Sequence, residues 1–438
     1  MYICFMETKP EILAPAGDMD KLKIALAYGA DAVYAGIPKF SLRTRETAFT
    51  AESIRNGIDY VHRHGKNIYL TLNIFPHNLK VDAFLKELDA VVPLQPDALI
   101  MADPGMIAAA LKRYPDMPLH LSTQANTVNW ATAAFWRDLG VRRIILSREL
   151  SLEEIAEIHD KVPDIELEAF VHGAICIAYS GRCLISNYLH FRDANQGTCT
   201  NSCRWEYRLA YERGSLLDVE ARQHPAEPLP APARGLVLHE SERPGEAFPV
   251  SEDIQGTYLM NSKDLCAIEL LPELIHSGVC SMKIEGRTKS AYYTAVTARA
   301  YRRALDAHLA GRPFDPEDLR ELMRLSNRTY TTGFYTRNPR QYGENFRDGL
   351  SEGVGEAVAG RILHYDPQSG LAVLEVKNRF SRGEKMTLIS PGGNLDIIVD
   401  HIEDEKGLAV ECAHGGGKNV RIPLPSDPGD FAFIRKRA

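Results

Sequence analysis

Short apolar runs recur along the chain at residues 11–17, 30–36, 68–74, 97–101, 118–122, 143–147 and 166–171, with a later one at 280–284. Most lack strict alternation with polar residues, which is the mark of parallel strands buried on both faces. Between them the pattern shifts to that of amphipathic helices, as at 18–28, 51–64 and 152–162. Ser151 stands as N-cap of the last of these, and Glu154 three residues on completes a capping box. Eight or nine β–α units in roughly 300 residues predict a (β/α)8 TIM-like barrel of the α/β class over a doubly wound sheet. A ninth run, 256–260, is surplus and is assigned to an extra strand or loop outside the barrel.

Further punctuation divides the chain into three parts. The barrel takes residues 8–310, with an insertion at about 208–255 where Pro225, Pro228, Pro230 and Pro232 fall close together. That insertion reads as a β-rich flap or as a tolerated surface loop. A helical connector takes 311–352; the helix preceding it runs from about 290 to 310, and another opens at Asp315-Pro316, an N-cap with proline at N1. From 353 to 438 the texture becomes that of short antiparallel strands, at 354–363, 370–377, 385–389, 395–401, 408–412 and 419–422. The turns Asp366-Pro-Gln-Ser-Gly370 and Ser390-Pro-Gly-Gly-Asn394 separate several of them. This part is expected to be a small antiparallel β-barrel.

The formal charge of −7 offers no global basic field for nucleic acid, so any RNA contact must use a local patch. The charge argues against a general RNA coat protein, but not against an enzyme that grips one RNA. The eight cysteines change the picture more. Four of them, Cys176, Cys183, Cys199 and Cys203, fall within one short segment that begins past the run 166–171, where α/β enzymes keep their chemistry. Cys199 and Cys203, at i and i+4, would share one side of a helical turn. Residues 1–11 lack a basic segment followed by an apolar run, and no stretch approaches ~18 apolar residues. The expectation is a cytoplasmic protein with reduced thiols. Three readings of the four cysteines stand side by side: paired disulfides, a zinc site, or an iron–sulfur cluster. The Cys176–Cys183 gap is wide for a zinc knuckle, whereas cluster ligands tolerate irregular spacing. Cys4, Cys266, Cys280 and Cys412 are scattered and read as small buried hydrophobes.

Polar residues gather at predicted strand ends: Arg43 and Arg45, Asn73, Asp103, Gln124 and Asn126, Arg148 and Glu149, and His172. Further groups are 261–264, and Lys283, Glu285, Arg287 and Lys289. Lys283 and Glu285 alternate with Met282 and Ile284, so they should face the lumen, where an unpaired charge is costly. They either pair with each other or build an anion site with Arg287. His172 reads as a proton donor, a neighbour of a cluster, or a hydrogen-bonded strand-end histidine. No His-Glu-x-x-His run occurs, residues 353–360 lack dinucleotide-binding spacing, and 415–418 reads as a turn.

Glu168-Ala-Phe-Val-His-Gly-Ala-Ile-Cys176-Ile-Ala-Tyr-Ser-Gly-Arg-Cys183-Leu-Ile-Ser186 resembles the signature of the collagenase-like peptidases of unknown catalytic type, peptidase family 32 of that group. Ile12-Leu-Ala-Pro-Ala-Gly17, Gly29-Ala-Asp-Ala-Val-Tyr-Ala-Gly36 and Met282-Lys-Ile-Glu-Gly-Arg287 support it, and the resemblance extends through the family's C-terminal β domain. Residues 97–105, 124–131, 145–154, 195–207 and 260–265 are similar to the branch of that family that modifies tRNA. The resemblance implies a bacterial enzyme that hydroxylates the wobble uridine of tRNA to 5-hydroxyuridine, without molecular oxygen and dependent on prephenate. It also implies an iron–sulfur cluster, of the 4Fe–4S type, with Cys176, Cys183, Cys199 and Cys203 as ligands. On that view Arg43, Arg45, Arg148, Asn261, Lys283 and Arg287 are the candidates to hold prephenate carboxylates and tRNA phosphates, a task suited to bidentate arginine. His172, Lys283 and Glu285 are the catalytic candidates. The implied partners are the tRNA anticodon region, prephenate and an electron donor, with no membrane. Lys377, Arg379, Arg382 and Lys385 form either an RNA-docking strip on the C-terminal domain or an ordinary solvated surface. A peptidase, and an iron–sulfur accessory protein, are the alternative functions.

Overall fold

The computed structural model describes residues 9–38, 40–42, 49–176, 178–204, 262–336 and 356–437, and only short stretches of 205–261. Eight parallel strands close into a barrel: β1 (Glu11–Ala16), β2 (Ala32–Gly36), β3 (Asn67–Leu72), β4 (Ala98–Met101), β5 (Leu119–Leu121), β6 (Arg143–Ile145), β7 (Glu166–Ala174) and β8 (Val279–Ile284). They pair in chain order, and β8 joins both β1 and β7 to shut the ring. Burial along β2 and β4 is unbroken, as both-face packing requires. Helices α1 (Met19–Ala27), α2 (Ala51–Arg63), α3 (Asn78–Val91), α4 (Pro104–Arg113), α5 (Trp130–Leu139) and α6 (Leu152–Lys161) alternate with the first strands. The capping box of Ser151 and Glu154 forms as expected.

The units between β7 and β8 depart from the alternation. A segment over 175–204 carries α7 (Ile185–His190). Next come short antiparallel pairs, 210–211 with 227–228, 237–239 with 247–249, and 251–253 with 256–258. The described stretches of the insertion are thus short strands, and the surplus run at 256–258 lies outside the barrel. A short strand, Asp264–Cys266, then runs antiparallel to the top of β7, and Tyr330–Thr331 adds to its other edge. Arg328 grips Asp264 through both its backbone N–H and its guanidinium, which fixes that edge.

The lumen holds a layer of paired charges at the N-terminal ends of the strands. Arg143 donates to Glu11, to Glu166 at 2.9 Å and to Glu168 at 3.4 Å. Ser281 donates to Glu11 at 2.7 Å, as does Tyr69 at 3.0 Å. Above them Lys283 donates to Glu168 at 2.6 Å, with both side chains buried. Buried charges persist when each has a partner and its remaining hydrogen-bonding capacity is met. The close ion pair of Lys283 is thus with Glu168 on the adjacent strand, while Glu285, one of the partners weighed for it, adds a longer-range attraction.

After β8, the long α9 (Ala291–Leu309) is buried along most of its length, and α10 (Pro316–Met323) follows with Asp315 as its N-cap. The C-terminal domain is an antiparallel sheet in the order 393–398, 385–390, 433–437, 356–366, 371–376, 419–423, with a core that includes Leu374, Phe380, Ile422 and Ile434. The strand Phe433–Arg437 is central, although no alternation marked it in sequence; conversely, of the expected strand at 408–412 only Cys412 lies in a ladder. The barrel and sheet dock through polar contacts. Tyr28 donates to Phe431 O at 2.9 Å, Arg361 clasps Asp20 at 2.5 and 2.7 Å, and Arg435 clasps Glu321 at 3.0 and 3.1 Å. Ile389 and Phe433 of the sheet belong to the barrel's apolar core. Among the described residues no helix is long and apolar enough to cross a membrane.

Glu168→Gln removes the carboxylate shared by Lys283 and Arg143 and leaves buried charge uncompensated. We expect a loss of about 3–5 kcal/mol in unfolding free energy by urea titration. A loss below ~1 kcal/mol would mean that the layer does not hold the barrel closed.

Candidate active site at the barrel mouth

Above the charged layer, the C-terminal ends of the strands present few cations. Lys283 lies beneath the mouth, its ammonium 4.4 Å from the centre of the Tyr34 ring, and burial lowers its pKa despite Glu168. Arg148, just past β6, stacks 3.8 Å over the Phe170 ring and reaches Glu285 at 3.5 Å. That long contact, with 15% of its side chain exposed, leaves the Arg148 guanidinium the best-placed described cation for an anion in the mouth. Arg287 differs. It donates to Ser41 at 2.7 Å, to Thr71 at 3.0 Å and to the Leu42 carbonyl. Its fork is spent on the chain that leaves β2, and Asn73 braces the same stretch by accepting from Leu42 N at 3.1 Å. Arg287 therefore acts as a strut for the stretch leading to Arg43 and Arg45. Those two residues and Asn261 lie outside the described residues.

His172 departs from its strand's alternation. The β7–β8 register slips between Phe170 and His172, a bulge that adds one residue and re-aims the side chain. The imidazole is fully buried among Tyr293, Tyr301 and Tyr330. Its Nδ1 lies 3.4 Å from the Tyr301 hydroxyl and its Nε2 3.4 Å from the Tyr330 hydroxyl. Burial lowers its pKa to about 3, so the ring is neutral. This is the hydrogen-bonded strand-end histidine of the sequence reading, placed in packing rather than facing the mouth. Glu285, the third catalytic candidate, stands at the rim against Arg148.

The segment 175–204 forms a cap tied to three different strand ends. Ser180 gives its N–H to Glu149 at 2.7 Å, past β6. Asn195 O accepts from Phe75 N at 3.1 Å, past β3, and Gln196 donates to Phe75 O. Gly181, at φ 72°, presses on the loop past β5: a Cβ there would fall 2.1 Å from Gln124 O. Only glycine meets both demands. Ser180 and Gly181, unremarked in sequence beyond their place in the signature, thus seat the cap, and the acidic Glu149 serves as its anchor.

All four clustered cysteines lie on this cap, Cys176 and Cys199 exposed, Cys183 and Cys203 half-buried, and none is in a disulfide. In donor type they suit a soft metal centre. Among the described residues no three His, Cys, Asp or Glu side chains stand close enough to hold a metal ion, so the set is not preassembled. The shared helical turn of Cys199 and Cys203 is also absent, because Asn201 takes φ 58° and only a short turn, Ser202–Arg204, follows. Two of the scattered thiols behave otherwise: burial pushes Cys266 up to about 11 and Cys280 up to about 12. Cys412 is not the small buried hydrophobe expected, because it is half-buried and a hydrogen bond from Arg379 lowers its pKa; Cys4 lies outside the described residues.

Barrel, cap and antiparallel domain are those of one family. A profile of peptidase family U32 matches residues 17–345, and one of the peptidase family U32 C-terminal domain matches 356–435. The chain belongs to peptidase family U32. Within it the chain is similar to tRNA hydroxylation protein P of Escherichia coli K12, 48% identical over 431 residues, covering 96% of this chain and 94% of the relative. It is 45% identical over 434 residues to tRNA hydroxylation protein P of Haemophilus influenzae, with 96% and 94% covered. It is also 32% identical over 431 residues to the 23S rRNA 5-hydroxycytidine C2501 synthase of Escherichia coli K12, covering 97% of this chain and 58% of that one.

Two expectations follow from the geometry. Gly181→Ala should unseat the cap without melting the barrel: alkylation of Cys183 by iodoacetamide should quicken several-fold while the thermal midpoint stays within a few degrees. Unchanged alkylation would show that Gly181 does not seat the cap. The buried His172 should make stability fall in acid. The folded ring stays neutral down to about pH 3, whereas an unfolded histidine takes a proton near ~6.5. The unfolded state therefore binds more protons across that window, and stability falls as pH drops through it, by up to about 1.4 kcal/mol per pH unit. His120, also buried with a lowered pKa, adds in the same direction. His172→Gln should flatten part of the slope of unfolding free energy between pH 6.5 and 4, and an unaltered slope would count against the neutral ring.

Proposed function

We infer that this chain is an RNA-modifying enzyme that hydroxylates tRNA, converting the wobble uridine to 5-hydroxyuridine with prephenate as co-substrate. The observation that carries this is the near end-to-end similarity to proteins named for tRNA hydroxylation. A relative named for 5-hydroxycytidine synthesis in rRNA supports hydroxylation of a pyrimidine as the reaction class. Replacing C5–H by C5–OH oxidises the base by two electrons and requires an oxygen donor. An iron–sulfur cluster held by Cys176, Cys183, Cys199 and Cys203 would supply electron transfer or binding of that donor.

The chain's own side chains have separate tasks in this reading. Arg148, held over the Phe170 ring, offers a fork to a carboxylate of the co-substrate. Lys283, paired with Glu168, forms part of the floor beneath the mouth. Arg287 and Asn73 steady the stretch before Arg43 and Arg45, which would meet phosphate or carboxylate. The cap narrows the mouth and limits water around the reacting base. The C-terminal strip is a weaker RNA contact, because Lys377 is paired with Glu375 at 2.6 Å and Arg382 with Glu411 at 3.3 Å.

The test is nucleoside mass spectrometry of tRNA from anaerobically grown cells that lack their own 5-hydroxyuridine pathways and carry this gene or its Cys176→Ala form. The expected result is 5-hydroxyuridine with the wild type and a loss of at least tenfold with Cys176→Ala. Equal levels from both would remove the cluster from the reaction. Absence from both, with both proteins present, would sink the tRNA reading and return the peptidase and accessory-protein alternatives.

A further inference from the structure

The cap carries an unusual surface. Phe191 is 92% exposed, Leu184 68% and Tyr179 61%. Phe191 also sits at φ 53°, in the left-handed region that bulky residues avoid. It holds that conformation as the C-cap of α7, donating its N–H to Asn187 O at 2.8 Å. Backbone strain thus presents an aromatic ring to solvent, the reverse of what the hydrophobic effect favours.

The surroundings indicate what would cover that ring. From 175 to 204 the cap has three arginines, Arg182, Arg192 and Arg204, against one carboxylate, Asp193, in a chain whose net charge is −7. The Arg192 Nε is buried without a hydrogen-bond partner. The tip is also bound to the thiol-bearing loop, since Ser186 of α7 lies 3.0 Å from the Thr200 hydroxyl and accepts from Thr200 N at 2.9 Å. An exposed ring on a segment richer in arginine than in carboxylate, in a chain otherwise acidic, is the composition of a stacking platform for unpaired nucleotides. A protein partner's apolar face would find no use for the local positive charge.

We propose that Phe191, on a cap segment that also carries Arg182 and Arg192, is a stacking platform for an unpaired base next to the target in the RNA loop. The proposal rests on the RNA reading above and adds where the loop is gripped. The platform recognises a single-stranded loop rather than a duplex, because only unpaired bases offer a free π-face.

The test is fluorescence anisotropy with the full-length protein and two RNAs: an anticodon stem-loop with uridine at the wobble position, and the same stem as a blunt duplex. Phe191→Ala and Phe191→Gly should each weaken stem-loop binding by roughly tenfold. Phe191→Trp should retain it, and duplex binding should be weak and unchanged throughout. Phe191→Gly relaxes the backbone, so its thermal midpoint should equal or exceed that of wild type, which separates stacking from local stability. Wild-type affinity in Phe191→Ala, or equal losses in Phe191→Ala and Phe191→Trp, would overturn the platform while leaving the RNA reading intact. A sedimentation shift in Phe191→Ala with unchanged RNA binding would assign the ring to a contact between copies and overturn it too. Failure of the wild type to bind the stem-loop would bring down both.

Discussion

The barrel can close only if the lumen's charges are answered within it, and that constraint falls on Glu168. This one buried carboxylate, on β7, meets Lys283 from β8 and Arg143 from β6. It therefore ties the closing strand to the two before it. In a low-dielectric interior such a tie is no gain over an apolar packing, but losing one member strands the others. Its value is specificity: a slip of one residue between β7 and β8 would turn Lys283 away from its partner. Two slips do occur, one below that pair at Cys280 and one above it at His172, where β7 leaves the ring and begins to serve the cap.

The consequences run upward along β7. Below the bulge the strand obeys the barrel's alternation; above it the strand takes an antiparallel neighbour and three tyrosines enclose the histidine. Tyr301 and Tyr335 donate to the carbonyls of Val171 and Phe170, at 2.7 and 2.6 Å, which stabilises the irregular backbone. The neutral histidine is the fitting residue here, since its two ring nitrogens can serve two hydroxyls without carrying charge. From this rigid end the chain passes into the cap, whose anchors at Glu149, Phe75 and Gln124 are all on loops at the same face of the barrel.

How far the sequence foretold this depends on what each feature needs. Barrel strands, the helices between them and the capping box of Ser151 and Glu154 follow from local period and hydrogen-bonding chemistry, and these were legible. Alternation also placed Lys283 in the lumen, but alternation names a side of a strand and not a partner; Glu168, 115 residues away in sequence, was hidden among apolar neighbours. A Glu in the run Glu166-Leu-Glu-Ala-Phe was the available signal. For His172 the sequence left three readings open, because a bulge resets the alternation and leaves no mark in composition. Arg287 looked like an anion ligand from its company, yet its use depends on Ser41 and Thr71, residues brought beside it only by closure. The cysteine cluster was plain as a donor set, while its geometry depends on the cap's turns.

The cap reconciles a local chemistry with a chain of opposite character. Its four clustered thiols form no disulfide, and its anchors hold the ends of the segment more than its middle. Such a segment gains order from whatever it binds, since ligand binding energy is then spent on fixing the loop. A metal centre would draw the thiols together and so fix Ser186, α7 and the ring of Phe191, because α7 is bonded to the Cys199–Cys203 loop through Thr200. Redox chemistry and substrate grip would then be coupled by one short piece of chain rather than by a conformational change in the barrel. A barrel sealed by buried ion pairs is ill suited to move, and a cap hung from its rim is the element that can.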